Sequence, residues 1–233
     1  MIEKEKIEGI NTINNLIEND HFQLETMFSL LNSLKRGNEL IAFENINTDF
    51  SKTETSIKYY CFLTSSLLDL TTTLKGFLIT KTKWEIIYYS KYSFLIIYET
   101  IKTHHKYQKD FRKILNKYYP NLIDEFNELN YSLKQFKNKF KYDTKIAFLR
   151  NNASGHWNND FSVYYEQISN LTLVDSVKAI TEFLDFLKSL IYFIYKFAEE
   201  TEEITVQNTN NVNTELLEKM KELSELVKKE KNY

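Results

Sequence analysis

The feature that most constrains this chain is how seldom it can turn: its 233 residues include four glycines and a single proline. Tight turns draw on these two types because glycine reaches φ > 0 without steric cost and proline presets φ near −65°. A chain so poor in both must run in long regular segments with few corners, which favours long helices. Sixteen Tyr and 17 Phe supply enough large apolar surface for a packed interior, and a disordered chain would lack them. No alternating strand run with a hairpin turn, no glycine-rich phosphate loop and no internal repeat is present, which argues against β-sandwiches and nucleotide-binding α/β folds. The expected class is all-α, an up-and-down bundle of long helices joined by short loops.

Charge and cysteine content narrow the partners. Thirty Lys and Arg face 32 Asp and Glu, a formal net charge of −2, so no global field would hold a long stretch of nucleic acid by counterion release. Any nucleic-acid contact must be local. The single Cys61 excludes an internal disulfide and the usual multi-cysteine zinc site, and its apolar helical setting reads as a small buried hydrophobe. The first residues carry no apolar run of signal-peptide length, and the apolar stretches at 86–98 and 183–198 are interrupted by Lys91, Asp185 and Lys188, so neither is expected to span a bilayer. The expectation is a cytoplasmic protein without membrane contact.

Along the chain, Ile10, Ile13 and Ile17 have helical spacing, and a second amphipathic run follows with Phe22, Met27, Leu30, Leu31 and Leu34. Arg36-Gly37-Asn38 reads as its C-terminal stop, with a loop over 38–50. Ser51 with Glu54 and Thr82 with Glu85 read as capping boxes. They open one helix striped by Leu63, Leu67, Leu70, Leu74 and Phe77, and another carrying Ile87, Phe94, Leu95, Tyr98 and Ile101 to about residue 118. Pro120 fits the first turn of the next helix, where its missing amide costs nothing. Leu122, Phe126, Leu129, Leu133, Phe136 and Phe140 then hold a seven-residue repeat that predicts an antiparallel helix pair. A short helical segment at 142–150 should lead into a loop, NNASGHWNND. Thr172 with Asp175 starts the most apolar long helix, through Val174, Val177, Ile180, Leu184, Leu187, Ile191, Ile194 and Phe197. The organisation this predicts is N-terminal helices over 1–50, a helical bundle over 51–200, and over 201–233 a polar linker with an amphipathic helix bearing Leu216, Leu217, Met220, Leu223 and Leu226.

One segment carries chemistry. Of the four histidines, His21, His104 and His105 read as solvated or capping residues. His156 differs because Arg150, Asn151, Asn152, Ser154 and Gly155 crowd the six positions before it, at a break in the apolar pattern. The alternative is a capping loop in which Asn and Ser satisfy helix ends and Arg150 pairs with a carboxylate such as Asp160.

The string LRNNASGHW resembles the signature of the HEPN superfamily: an arginine, a polar residue that is often Asn, and a histidine after four to six intervening positions. Five residues separate Arg150 from His156 here, and the setting agrees, a helical bundle with the motif late in the chain ahead of a final apolar helix. The resemblance covers about 50–200. It implies a metal-independent endoribonuclease that leaves 2′,3′-cyclic phosphate ends, a toxin of a toxin–antitoxin pair or an antiviral abortive-infection effector, acting on RNA such as tRNA. It also implies a homodimer with a shared cleft, and an antitoxin or defence-system protein as partner. An acidic helper often accompanies the motif; no spacing matches a position to it, and Glu99 enters as a guess from its place in a core helix.

The residue types suit that chemistry on their own terms. Attack by a 2′-hydroxyl needs a group titrating near neutrality, the property of His156. Charge on the phosphorane oxygens needs a permanent cation with a donor fork, the property of Arg150. Asn151 would orient the histidine or hold a phosphate oxygen, Trp157 would offer a face to an extruded base, and Asn152 and Ser154 would line the substrate. Were 150–156 one α-helix, Arg150 and His156 would stand roughly 120° apart around the axis, so either the chain bends or a symmetric partner completes the site. No cofactor and no metal are expected, since a bundle metal site uses Glu-x-x-His motifs paired on facing helices and the chain carries no such pair. The competing function is a non-catalytic helical module that binds protein or nucleotide.

Overall fold

A computed structural model describes residues 2–43, 51–154 and 159–197. It is all-α, a bundle of long helices, with no strand among the described residues. The chain divides into two units, Met1–Ile194 and Tyr195–Tyr233; the first is described below. The expected linker and tail helix over 201–233 lie outside the described residues.

Helix α1 spans Ile2–Phe43 without interruption. The stop expected at Arg36-Gly37-Asn38 is not used: Gly37 stays helical, has no positive φ, and a Cβ there would meet nothing within 4 Å beyond its own stretch of helix. A glycine within a helix costs only about 1 kcal/mol relative to alanine, which packing of α1 along α2 can override. The inner face of α1 includes Leu31, whereas Phe22 and Leu30, expected on the apolar face, are exposed.

Helix α2, Ser51–Ile79, buries Leu63, Leu67, Leu70 and Phe77 as the stripe predicts. It returns antiparallel to α1, with Asn38 donating to Glu54 and Tyr60 donating to Gln23. Helix α3, Lys83–Tyr118, opens on the capping box expected of Thr82 and Glu85: the Glu85 amide donates to Thr82 Oγ1 at 3.2 Å and the Glu85 carboxylate accepts from the Thr82 amide at 2.7 Å. The Lys81 amide, which donates to the same carboxylate at 2.8 Å, together with the Thr82 amide and hydroxyl holds the Glu85 carboxyl below its ordinary pKa. Where α2 meets the start of α3, only glycine fits at position 76, because a Cβ would land inside the Tyr89 ring.

Pro120 begins a single 3-10 turn, Pro120–Leu122, that feeds α4, Ile123–Lys139. The heptad stripe of α4 buries Phe126, Leu133 and Phe136 against α3 and the last long helix, α7, at 173–197. Phe126 stacks on Phe193 at 5.5 Å and tilts against Phe111 at 5.9 Å, and Phe136 meets Phe183 at 5.0 Å. Thr172 caps α7 through the Asp175 amide at 3.1 Å. Its buried face begins two residues later than the apolar spacing predicts, since Val174 is exposed while Ser176 and Ile180 are buried. Ser176 donates to Ser90 at 2.7 Å, which ties α7 to α3 through two small buried side chains.

Between α4 and α7 the chain is helical but wound irregularly. Lys141 takes a left-handed conformation, φ 50°, and ends α4. A widened π turn follows at Tyr142–Ile146, then α5 at Ala147–Leu149, a second π turn at Arg150–Ser154, and α6 at Phe161–Ser169. The wide turns keep Tyr142, Ile146, Leu149 and Ala153 buried in one line along α3. The loop expected to begin at Asn151 is therefore helical through Ser154. No helix among the described residues is long and apolar enough to cross a membrane.

Candidate functional site

The second π turn carries Arg150 to the flank of α3, where Glu99 meets it. Arg150 Nε donates to Glu99 Oε1 at 2.9 Å, Nη2 forms an ion-pair contact with the same oxygen at 2.8 Å, and Nη1 donates to Asn151 Oδ1 at 3.1 Å. A guanidinium has five N–H donors; these three contacts leave two without a partner among the described residues. The Arg150 side chain is 23% exposed and that of Glu99 40%, so the pair is partly open to solvent at the flank of α3.

The guanidinium is oriented from below as well. Its Cζ lies 5.4 Å from the centre of the Tyr98 ring, Tyr98 stacks on Tyr142 at 5.4 Å, and the Tyr142 hydroxyl donates to the Tyr98 carbonyl at 3.3 Å. Lys137 sits over the other ring of this stack, 4.7 Å from the Tyr142 centre. Burial, followed by the neighbouring Tyr98, Asp143 and Glu99, pushes the Tyr142 phenol well above its ordinary pKa, so it stays a neutral donor. Lys102 Nζ lies 3.8 Å from Glu99 Oε2. Two cations thus share one carboxylate, an excess of one positive charge that suits an anionic ligand.

The structure places the other sequence-derived candidates unevenly. Asn151 is exposed and orients Arg150. Asn152 turns its amide back to the Phe148 carbonyl at 2.9 Å, as a helical residue does. Ser154 Oγ is shielded from solvent and has no hydrogen-bond partner among the described residues. Gly155, His156 and Trp157 lie outside the described residues. Asp160, the carboxylate suggested for Arg150, instead caps α6 by accepting from the Ser162 amide at 2.9 Å. Glu99 takes that place. No local pattern identifies it, because its partner is 51 residues away in sequence.

A second polar cluster, centred on His104, departs from the sequence expectation for that residue. His104 is 1% exposed and neither solvated nor capping. The Tyr59 hydroxyl donates to its Nδ1, and Nε2–H faces Asn130 Oδ1 at 3.3 Å. Gln108 donates to the same Asn130 oxygen at 2.6 Å, and Asn130 Nδ2 donates to the Phe126 carbonyl at 2.7 Å. Burial is the largest influence on the imidazole and pulls its pKa from 6.5 down to about 4; it is neutral at pH 7, with its tautomer set by the two partners. Its signal was hidden by the adjacent His105, which is exposed and contacts Gln108 at 3.1 Å.

One isolated Glu-x-x-His does occur, Glu18 with His21 on α1, but His21 Nε2 lies 3.6 Å from Glu25 in an exposed pair. No protein-family model, curated protein or solved structure matches the chain.

Proposed function

We propose that this chain is a metal-independent endoribonuclease of the HEPN type, acting as a toxin or antiphage effector, with Arg150 stabilising the transferring phosphate and His156 as general acid and base. The reading rests on the likeness of Arg150-Asn151-x4-His156 to the family signature. The observation that carries it further is the Arg150 guanidinium, fixed by Glu99, Asn151 and Tyr98 at the surface with two donors left for a ligand. A donor held in place before the reaction stabilises developing charge without reorganising, and one such donor is typically worth about 10²–10³ in rate. Glu99 fills the role of acidic helper by holding the guanidinium, and Lys102 adds the charge that keeps the cluster net positive. A homodimer would bring two such segments together, so that the arginine of one and the histidine of the other could share a phosphodiester.

The test is direct. Purified protein incubated with tRNA and mixed RNA in EDTA should release fragments with 2′,3′-cyclic phosphate ends, and light scattering should return a dimer mass. Intact RNA after prolonged incubation would leave a helical binding module in its place.

A further inference from the structure

Helix α3 is longer than the site needs, and its outer face has a pattern that packing does not explain. Trp84, Tyr88 and Tyr92 are 58%, 61% and 43% exposed, although aromatics of this size normally bury most of their surface. They are spaced by four, so they climb one side of the helix over about 12 Å. Continuing along the same side come Lys102, Lys106 and Lys109, all exposed. At 100° per residue the six fall within an arc of about 100°, and Glu99 with its bound Arg150 stands between the two groups.

We infer that this face of α3 is a binding track for a single-stranded polynucleotide, with bases stacking on Trp84, Tyr88 and Tyr92 and phosphates meeting Lys102, Lys106 and Lys109. The inference rests on the ribonuclease reading and supplies its substrate surface. Single strands are held by aromatic platforms combined with a cationic path, since every base has a π face and every link a negative charge. An RNA duplex would offer these rings no base face, since its bases are stacked on one another inside a deep, narrow groove. A protein partner is disfavoured by composition: lysines are depleted from the cores of such interfaces, whereas here they continue the aromatic stripe. The near-neutral chain required any nucleic-acid contact to be local, and this is the local excess: Lys106 and Lys109 form no ion pair among the described residues.

The test uses a fluorescent strand of about 12 nucleotides, within the usual range for one such surface, made with 2′-O-methyl groups so that it cannot be cleaved. Replacing Trp84, Tyr88 and Tyr92 together by Ala should weaken binding tenfold to a hundredfold while helicity by circular dichroism is unchanged, because the side chains are exposed; Trp84→Phe should retain most of the affinity. Lys106→Ala with Lys109→Ala should make binding less sensitive to salt. Unaltered affinity of the triple variant overturns the inference, as does a triple variant that turns from dimer to monomer with affinity intact, which would make the face a subunit contact. Cleavage of ordinary RNA by the wild type is scored separately. Binding that depends on the aromatics without any cleavage would support the track and refute the ribonuclease, whereas cleavage with aromatic-independent binding would do the reverse.

Discussion

Glu99 and His104 stand little more than a helical turn apart on α3, yet the clusters they anchor obey opposite rules. His104 faces inward, and its ring nitrogens, the Tyr59 hydroxyl and both ends of the Asn130 amide all have partners. Glu99 faces outward and holds an arginine that keeps two donors for something else. A buried polar group left without a partner costs about 1–3 kcal/mol, so the inner cluster had to close on itself. The outer one had water to satisfy it and was under no such demand. The closed cluster serves the fold, and the open one is where a ligand can be met.

Substitutions can break that division, beginning with the largest effect. Arg150→Ala and His156→Ala should each lower RNA cleavage by about 10²–10³, measured as initial rates on a labelled RNA in chelator; rates within twofold of wild type would assign the open cluster no catalytic part. His104→Ala should destabilise the protein by about 3 kcal/mol in urea unfolding, from a core cavity and from stranding the Tyr59 hydroxyl. That variant should leave the Arg150–Glu99 pair in place.

The same histidine gives the closed cluster a pH signature. Its pKa is about 4 in the folded protein against an ordinary 6.5, so between those values the unfolded chain binds more protons. Stability from this group is therefore full above pH 6.5 and falls as pH drops toward 4. Between pH 7 and 5 the loss should be about 2 kcal/mol, and His104→Gln should abolish that part of the slope. A wild-type slope shared by the variant would place the titration elsewhere. Gly76→Ala provides a control on the fold alone: pushing α2 from α3 at Tyr89 should cost about 1–3 kcal/mol without altering cleavage per folded molecule. Smallest of all, Glu99→Gln should change unfolding free energy by less than about 1 kcal/mol, as expected for a partly exposed pair.

The fold was legible where periodicity and local chemistry agree. The α2 stripe, the Thr82 and Thr172 caps, Pro120 and the end of α3 near 118 follow from spacing within a few residues. Expectations failed where tertiary packing overruled a local preference: Gly37 stays helical, and Asn151 to Ser154 continue the helix as a widened turn because Leu149 and Ala153 must both face α3. The site was legible in part. Arg150 stood out by its neighbours in sequence, but its carboxylate, its aromatic floor and the buried His104 network are pairings across helices, which no single run of residues records.

On the proposed reading Arg150 is held, partly exposed, for a ligand and is not a support of the bundle. Urea unfolding of Arg150→Ala at pH 7 tests it most directly: the free energy should lie within about 1 kcal/mol of wild type, as expected for a partly exposed ion pair. A loss of about 3 kcal/mol or more, equal to that of removing His104, would make the arginine a structural clamp and contradict the account.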